Sequence, residues 1–173
     1  MSDKPEYRLA AEIVRDAGGQ IVGRTRLQKV ACLLELAGLG VGFSFAYHYY
    51  GPYSEKLSDA VRVAEAFDLV TEEERQAGWG GKYSVFTATK NAGSPDGGAR
   101  NRLAQAAAQI DAIELELAVT AAYLAANEEC LDPWGETARR KPEKAGDGRL
   151  EKAKAAYRGL LAIPTPTPLP AIG

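Results

Sequence analysis

Glycine and proline cut this chain into short pieces, and that punctuation limits its fold more than any other feature. Of 173 residues, 18 are Gly and 9 are Pro, and they cluster at 18–19, 38–42, 51–52, 78–81, 93–98, 133, 142–148 and through 164–170. Proline in a helix interior costs about 3 kcal/mol and glycine about 1 kcal/mol. The segments between the breaks are therefore short elements joined by turns, and the one long helical stretch is 99–127. Hydrophobic residues make up 46% of the chain and charged residues 25%, the balance of a globular domain with a core. No run approaches the ~20 apolar residues of a membrane span. The first residues, Met1-Ser2-Asp3-Lys4-Pro5-Glu6, hold no apolar signal region, so a cytoplasmic protein without membrane contact is expected.

Periodicity then assigns the pieces. Leu9, Ala10, Ile13, Val14 and Ala17 share one helical face over 5–17, with Pro5 in the first turn and Gly18-Gly19 as the stop. Residues 21–24 read as a link. A second helix is expected from Thr25, its N-cap, with Leu27, Val30, Ala31, Leu34 and Ala37 inward and Arg24, Arg26, Gln28 and Lys29 on the outer side of its first turn. Residues 43–50 alternate and are rich in aromatics, an extended segment. Gly51-Pro52-Tyr53 turns into a helix capped by Ser54, with Leu57, Ala60, Val61, Ala64 and Phe67 as its stripe. The arms of a two-stranded ribbon fall at 69–72 and 83–88, with Gly78-Trp79-Gly80-Gly81 at the tip.

Helix, helix, extended segment, helix and ribbon is the element order of a winged helix. The fold class expected is mainly α (α+β). A winged-helix-like part spans 1–90, and a helical part spans 99–162, within one domain at 1–162. The helical part holds the long helix 99–127 and two shorter ones, 136–144 and 149–161. The stripe Leu103, Ala107, Ile110, Ile113, Leu117, Ala121 and Leu124 packs on the winged part; a homodimer seam is its alternative use. Residues 163–173 are expected to form a Pro-rich, extended and poorly ordered tail; a ligand segment for a partner is its alternative use.

Chemistry-bearing residues are sparse. Cys32 lies in an apolar run and reads as a core thiol, and a reducing cytosol disfavours its pairing with Cys130. His48, the single histidine, has neither a nucleophile partner nor metal-ligand spacing. Gly38-Leu39-Gly40-Val41-Gly42 lacks the Gly-Lys-Ser/Thr ending of a phosphate loop and follows a helix, not a strand. No catalytic residue, metal site or cofactor is expected, and the chain is read as a non-enzyme.

Charge separates two surfaces. The chain has 21 basic and 23 acidic residues, net −2, without the basic excess of a general polyanion binder. Residues 136–158 nevertheless hold eight bases against four acids. Arg139, Arg140, Lys141, Lys144 and Lys152 are therefore candidate nucleic-acid contacts; salt-bridged, solvated helices are the competing reading. The helix after Ser54 exposes Glu55, Lys56, Ser58, Asp59, Arg62, Glu65 and Asp68. Four acids against two bases repel a phosphate backbone. Protein contact suits this region better, with Tyr47, Tyr49, Tyr50, Tyr53 and Trp79, joined by Arg26 and Lys29, as candidate partner-binding residues.

Three motifs carry a resemblance. Thr25-Arg26-Leu27-Gln28-Lys29-Val30, then Phe45-x-Tyr47-x-x-Tyr50-Gly51-Pro52-Tyr53-Ser54-x-x-Leu57, then Asp132-Pro133-Trp134 resemble the YwgA-like and SocA-like group, which includes the Panacea antitoxin domain. The resemblance spans about 5–140. Glu129-Cys130-Leu131 stands where that group has a Thr-His pair, which places the chain nearer the YwgA-like branch. The resemblance implies a small cytoplasmic antitoxin-like or adaptor-like protein that binds a protein partner. It also implies that Gln28, Lys29, Gly51, Pro52 and Trp134 define the fold first. The expected function is such an interaction module, acting through the aromatic turn and adjoining helix. The alternative is a nucleic-acid-binding transcriptional regulator using 139–158.

Overall fold

The computed structural model describes residues 4–49 and 51–173. Its elements in chain order are α1 (Glu6–Asp16), β1 (Gln20–Val22), α2 (Arg24–Leu36), β2 (Ala46–His48), β3 (Gly51–Tyr53), α3 (Glu55–Ala66), β4 (Val70–Gln76), β5 (Lys82–Ala88), α4 (Ala99–Ala108), α5 (Ala112–Asn127), α6 (Pro133–Arg140), α7 (Pro142–Ala145) and α8 (Arg149–Leu161). The protein is mainly helical with a small β component. One antiparallel sheet has the order β1-β5-β4, and β2 and β3 form a separate hairpin. Among the described residues, no helix is long and apolar enough to cross a membrane.

Each boundary has a local cause. Gly18 and Gly19, at φ 103° and 88°, end α1 in a conformation that costs a residue with a Cβ. The Ser54 hydroxyl accepts from Leu57 N at 3.2 Å and caps α3, as its sequence position implies. The link at 21–24 is instead strand β1, with Ile21 opposite Phe86 of β5. α2 starts at Arg24 behind Gly23, which supplies no side-chain cap, so Thr25 is not the cap expected. Of the extended segment 43–50, only Ala46–His48 pairs as a strand; Tyr50 lies outside the described residues.

The long helix expected over 99–127 is two helices. Asp111 accepts from the amides of Ile113 and Glu114 at 3.0 and 3.2 Å and so starts α5 afresh after α4 has ended. Capping by a short acid competes with helix continuation. α5 is the centre of the molecule. Leu115, Leu117, Ala118, Val119, Ala121, Ala122 and Leu124 are all fully buried, because α2, β3, α6 and α8 surround the helix. α6 begins at Pro133, three residues before the expected start, because Asp132 caps Gly135 N at 3.1 Å and Pro suits the first turn. Trp134 is buried edge-on to Tyr157 of α8, with ring centroids 5.9 Å apart.

The Pro-rich end does not trail away. Thr167 N donates to Ala37 O at 3.0 Å. Tyr157 Oη donates to Pro170 O at 2.6 Å, and Leu169 is buried. The tail is strapped across the C-terminal end of α2 and the side of α8. At the opposite side, Arg100 of α4 reaches Asp16 at 2.6 Å and Glu12 at 3.3 Å of α1, tying the two halves together.

Candidate functional site

Two motifs more than twenty residues apart in sequence meet directly. From α2, the Gln28 amide donates to Ser54 O at 3.0 Å and accepts from Ser54 N at 2.8 Å. Its neighbour Lys29 donates through Nζ to Pro52 O at 2.8 Å. Both side chains are buried. A side-chain amide bonding one residue's N–H and C=O replaces a strand partner, so α2 holds the β2–β3 hairpin as a neighbouring strand would. Gly51 sits at the closest approach. Its φ is 90°, and a Cβ there would stand 2.7 Å from Thr120 Oγ1 and 3.4 Å from Lys29 Nζ.

Around that contact lies a buried charge cluster. Glu116 of α5 receives Lys141 Nζ at 2.8 Å and Lys144 Nζ at 2.8 Å. Lys29, Lys141 and Glu116 are each under 10% exposed. Burial pulls the Lys29 ammonium down to about 8, and Glu116 only partly compensates, with Lys141 and Lys144 pushing the same way as burial. Thr120 Oγ1 is buried without a hydrogen-bond partner among the described residues. Cys32, on the next turn of α2, has its thiol pushed up to about 12 by burial, which leaves it an unreactive core side chain. Among the described residues, no group of three or more His, Cys, Asp or Glu side chains is placed to hold a metal.

The partner-binding candidates separate under this geometry. Lys29 is 1% exposed and belongs to the core, not to the outer side of α2 as expected. Every residue from Leu27 to Leu34 of α2 is buried, so the helix has no outer face there, and Lys29 Nζ donates to Pro52 O with Glu116 compensating its charge in part. Arg26 is half-buried, donates to Ile110 O at 3.1 Å and to Val22 O, and has its basicity lowered by burial; it ties β1 to the α4–α5 corner. Tyr47 is partly covered, with the Arg140 guanidinium 4.7 Å above its ring. Tyr53 is half-buried, 5.4 Å from the His48 ring. Two candidates stand in solvent: Tyr49 at 88% exposure and Trp79 at 79%. Each occupies the tip of a hairpin, β2–β3 and β4–β5.

The basic stretch is largely consumed within the fold. Arg139 pairs with Glu136. Arg140 bridges Glu136 at 2.7 Å and Glu128 at 3.3 Å, and the Glu136 hydrogen bond raises its already high pKa. Lys141 is buried on Glu116 and is unavailable to a polyanion, which corrects its place among the nucleic-acid candidates. Lys144 shares Glu116, and Lys152 stands exposed on α8. The glycine loop after α2 is also occupied. Glu35 Oε2 accepts from the amides of Val41, Gly42 and Phe43 at 2.9, 3.0 and 3.2 Å, so those donors hold a carboxylate of the protein itself.

Sequence reasoning missed Glu116, Thr120 and Glu35. Glu116 carried a signal: it is a lone carboxylate between Leu115 and Leu117 in an apolar helix, and a buried acid needs cations. A surface cavity of about 310 Å³ was also missed. It opens between the start of α2, α3 and β4, over Leu27, Val61 and Phe86, with Arg24, Arg62 and Glu72 at its rim. Comparison with protein-family models, with curated proteins and with solved structures returns no significant match for the chain.

Proposed function

We propose that the protein is a non-enzymatic interaction module, antitoxin-like or adaptor-like, that covers a cytoplasmic protein partner with its two hairpin tips and the adjoining α3 face. The carrying observation is the pair of solvent-standing aromatics, Tyr49 and Trp79, at 88% and 79% exposure. Tyr and Trp are enriched among the residues that dominate the energetics of protein contacts, and hairpin tips present their rings outward. The hydrogen bonds from Gln28 and Lys29 to Ser54 and Pro52 support the resemblance to YwgA-like and SocA-like proteins. They give the joint presence of those motifs one physical purpose, which is to hold the hairpin rigidly.

A second reading has its own support. The element order α1, β1, α2, α3, β4, β5, interrupted by the β2–β3 hairpin before α3, and the sheet order β1-β5-β4 support a winged-helix reading in which α3 would take the recognition position and β4–β5 the wing. Charge opposes the nucleic-acid use of that arrangement. Between residues 55 and 76 there are seven acids against three bases, and a phosphate backbone is repelled by such a surface.

Tagged protein captured from native lysate tests both readings. Nuclease treatment and a high-salt wash remove polyanion-mediated contacts. A stoichiometric protein retained by the wild type and lost by a Tyr49→Ser/Trp79→Ser variant with unchanged circular dichroism is the expected result. Retention by that variant, or recovery of nucleic acid alone, overturns the proposal.

A further inference from the structure

The cavity at the start of α2 has the composition of a small-molecule site. At about 310 Å³ it lies at the lower end of the usual range for such sites, roughly 300–1,000 Å³. Its floor is apolar: Leu27, Val61 and Phe86 are buried with their side chains in its wall. Its lining also carries polar groups. Thr25 and Ser58 bring hydroxyls, and Arg24 and Arg62 bring guanidinium groups. Lys29, itself 1% exposed, forms part of the wall. Glu72 is the single carboxylate there. It is engaged by Arg24 at 2.7 Å and by the Ser84 hydroxyl at 2.5 Å. The Arg62 guanidinium has an exposed contact to Asp59 at 3.6 Å and also attracts Glu72 across the cavity, without a direct ion pair to it among the described residues. The lining thus sets Arg24, Lys29 and Arg62 against Glu72, a net positive charge, over an apolar floor.

From this geometry we infer that the cavity binds a small organic anion, a carboxylate on an apolar body, with Arg62 as the principal charge partner. The apolar body lies on Leu27, Val61 and Phe86. The carboxylate meets Arg62 and the hydroxyls of Thr25 and Ser58, the planar fork of arginine matching its two oxygens. The site shares Ser58 and Arg62 with the α3 face proposed for the partner, but the tip variant changes neither residue, so the fate of partner capture in that variant does not bear on the site. The carboxylate can come from a free small molecule or from the C-terminal residue of a polypeptide, and the same experiment separates these sources.

The probes are 3-phenylpropanoate, its neutral amide, and a short peptide ending in Phe, as free acid and as C-terminal amide. Binding to the full-length protein is followed by calorimetry and by backbone amide NMR shifts. The expected result is saturable millimolar-or-tighter binding of 3-phenylpropanoate, with shifts centred on Thr25 and Ser58 and much weaker binding of the amide. A peptide acid binding more tightly than 3-phenylpropanoate identifies a polypeptide terminus as the source, and the reverse identifies a free molecule. Arg62→Gln, at a residue whose side chain is 75% exposed, keeps the fold and weakens binding about fivefold, the loss of one exposed charge contact. Val61→Trp fills the cavity and abolishes binding; if it fails to fold, Arg62→Gln and the shift map still decide. No saturable binding, equal binding of acid and amide, shifts centred elsewhere, or an unchanged Arg62→Gln each overturn the inference.

Discussion

Replacing Lys29 by Met changes how stability depends on pH, and the structure gives both the sign and the size. Lys29 Nζ faces Pro52 O of β3, Glu116 and Thr120 of α5, Lys141 at the end of α6 and Lys144 of α7, with Cys32 nearby on its own helix. Burial is the largest influence and lowers the ammonium from 10.5 to about 8. The folded state therefore releases the proton more easily than the unfolded chain. Between about pH 8 and 10.5 the unfolded chain binds more protons, so stability rises with pH through that window. At about 1.36 kcal/mol per pH unit, the displacement corresponds to about 3 kcal/mol, a penalty fully present below pH 8 and relieved as pH approaches 10.5. Lys29→Met has no such group. It instead leaves Pro52 O without its donor, a cost of about 1–3 kcal/mol that does not vary with pH. Urea unfolding of both proteins from neutral pH to about pH 10 isolates the term, since every other titrating group is common to the two. The wild type should gain about 2–3 kcal/mol on the variant over that range. A flat difference would mean that Lys29 is not desolvated. A wild type that loses ground with rising pH would mean that Glu116 holds it charged; either result refutes the reasoning.

Three further perturbations address the same junction and the strap. Gln28→Ala strands Ser54 N in the interior, while Ser54 O keeps its bond from Ser58 N at 3.2 Å, and should cost about 1–3 kcal/mol, read from the urea midpoint. Gly51→Ala places a Cβ at φ 90° and 2.7 Å from Thr120 Oγ1; a loss of about 2–3 kcal/mol is expected. Thr120→Ala should be close to neutral alone, since its hydroxyl has no hydrogen-bond partner among the described residues, and should recover part of that loss in the double variant. Truncation after Ala162 removes buried Leu169 and the hydrogen bonds to Ala37 and from Tyr157; calorimetry should show a stability loss of about 2–4 kcal/mol, whereas a freely trailing tail would leave the melting temperature unchanged.

What could be read from sequence was whatever depends on neighbours along the chain. The Ser54 cap, the stripe Leu57-Ala60-Val61-Ala64 and the helix at 149–161 follow from local pattern, and the structure has them where they were expected; Phe67, expected on the same stripe, instead follows the end of α3 and lies exposed, stacked on Tyr7. The break at 109–111 was hidden because the apolar positions of α4 and α5 continue one spacing, while the cap at Asp111 that restarts the helix is a single short acid. The positions of Lys29 and Lys141 were hidden for a different reason. A lysine in a helix start or a basic run is ordinarily solvated, and only a buried acceptor from a distant element makes burial tolerable. Glu116 and Pro52 O are those acceptors, and both come from outside the local sequence. The strand β1 likewise exists because β5 pairs with it; three residues alone give no strand signal.

The junction also links stability to the proposed contact. Tyr49 stands at the tip of a hairpin whose two strands are three residues each, too short to hold a fixed position alone. Its placement depends on the bonds that Gln28 and Lys29 make to Ser54 and Pro52. Weakening them frees the tip before the core is lost, because local elements open at lower cost than the whole fold. Gln28→Ala should therefore lose partner capture at temperatures where its circular dichroism is still native, and capture should return when the hairpin is fixed by the bound partner at high concentration. Tyr49→Ser, which leaves the junction intact, should lose capture without that concentration dependence. The two variants thus separate a side chain that touches the partner from one that only positions it.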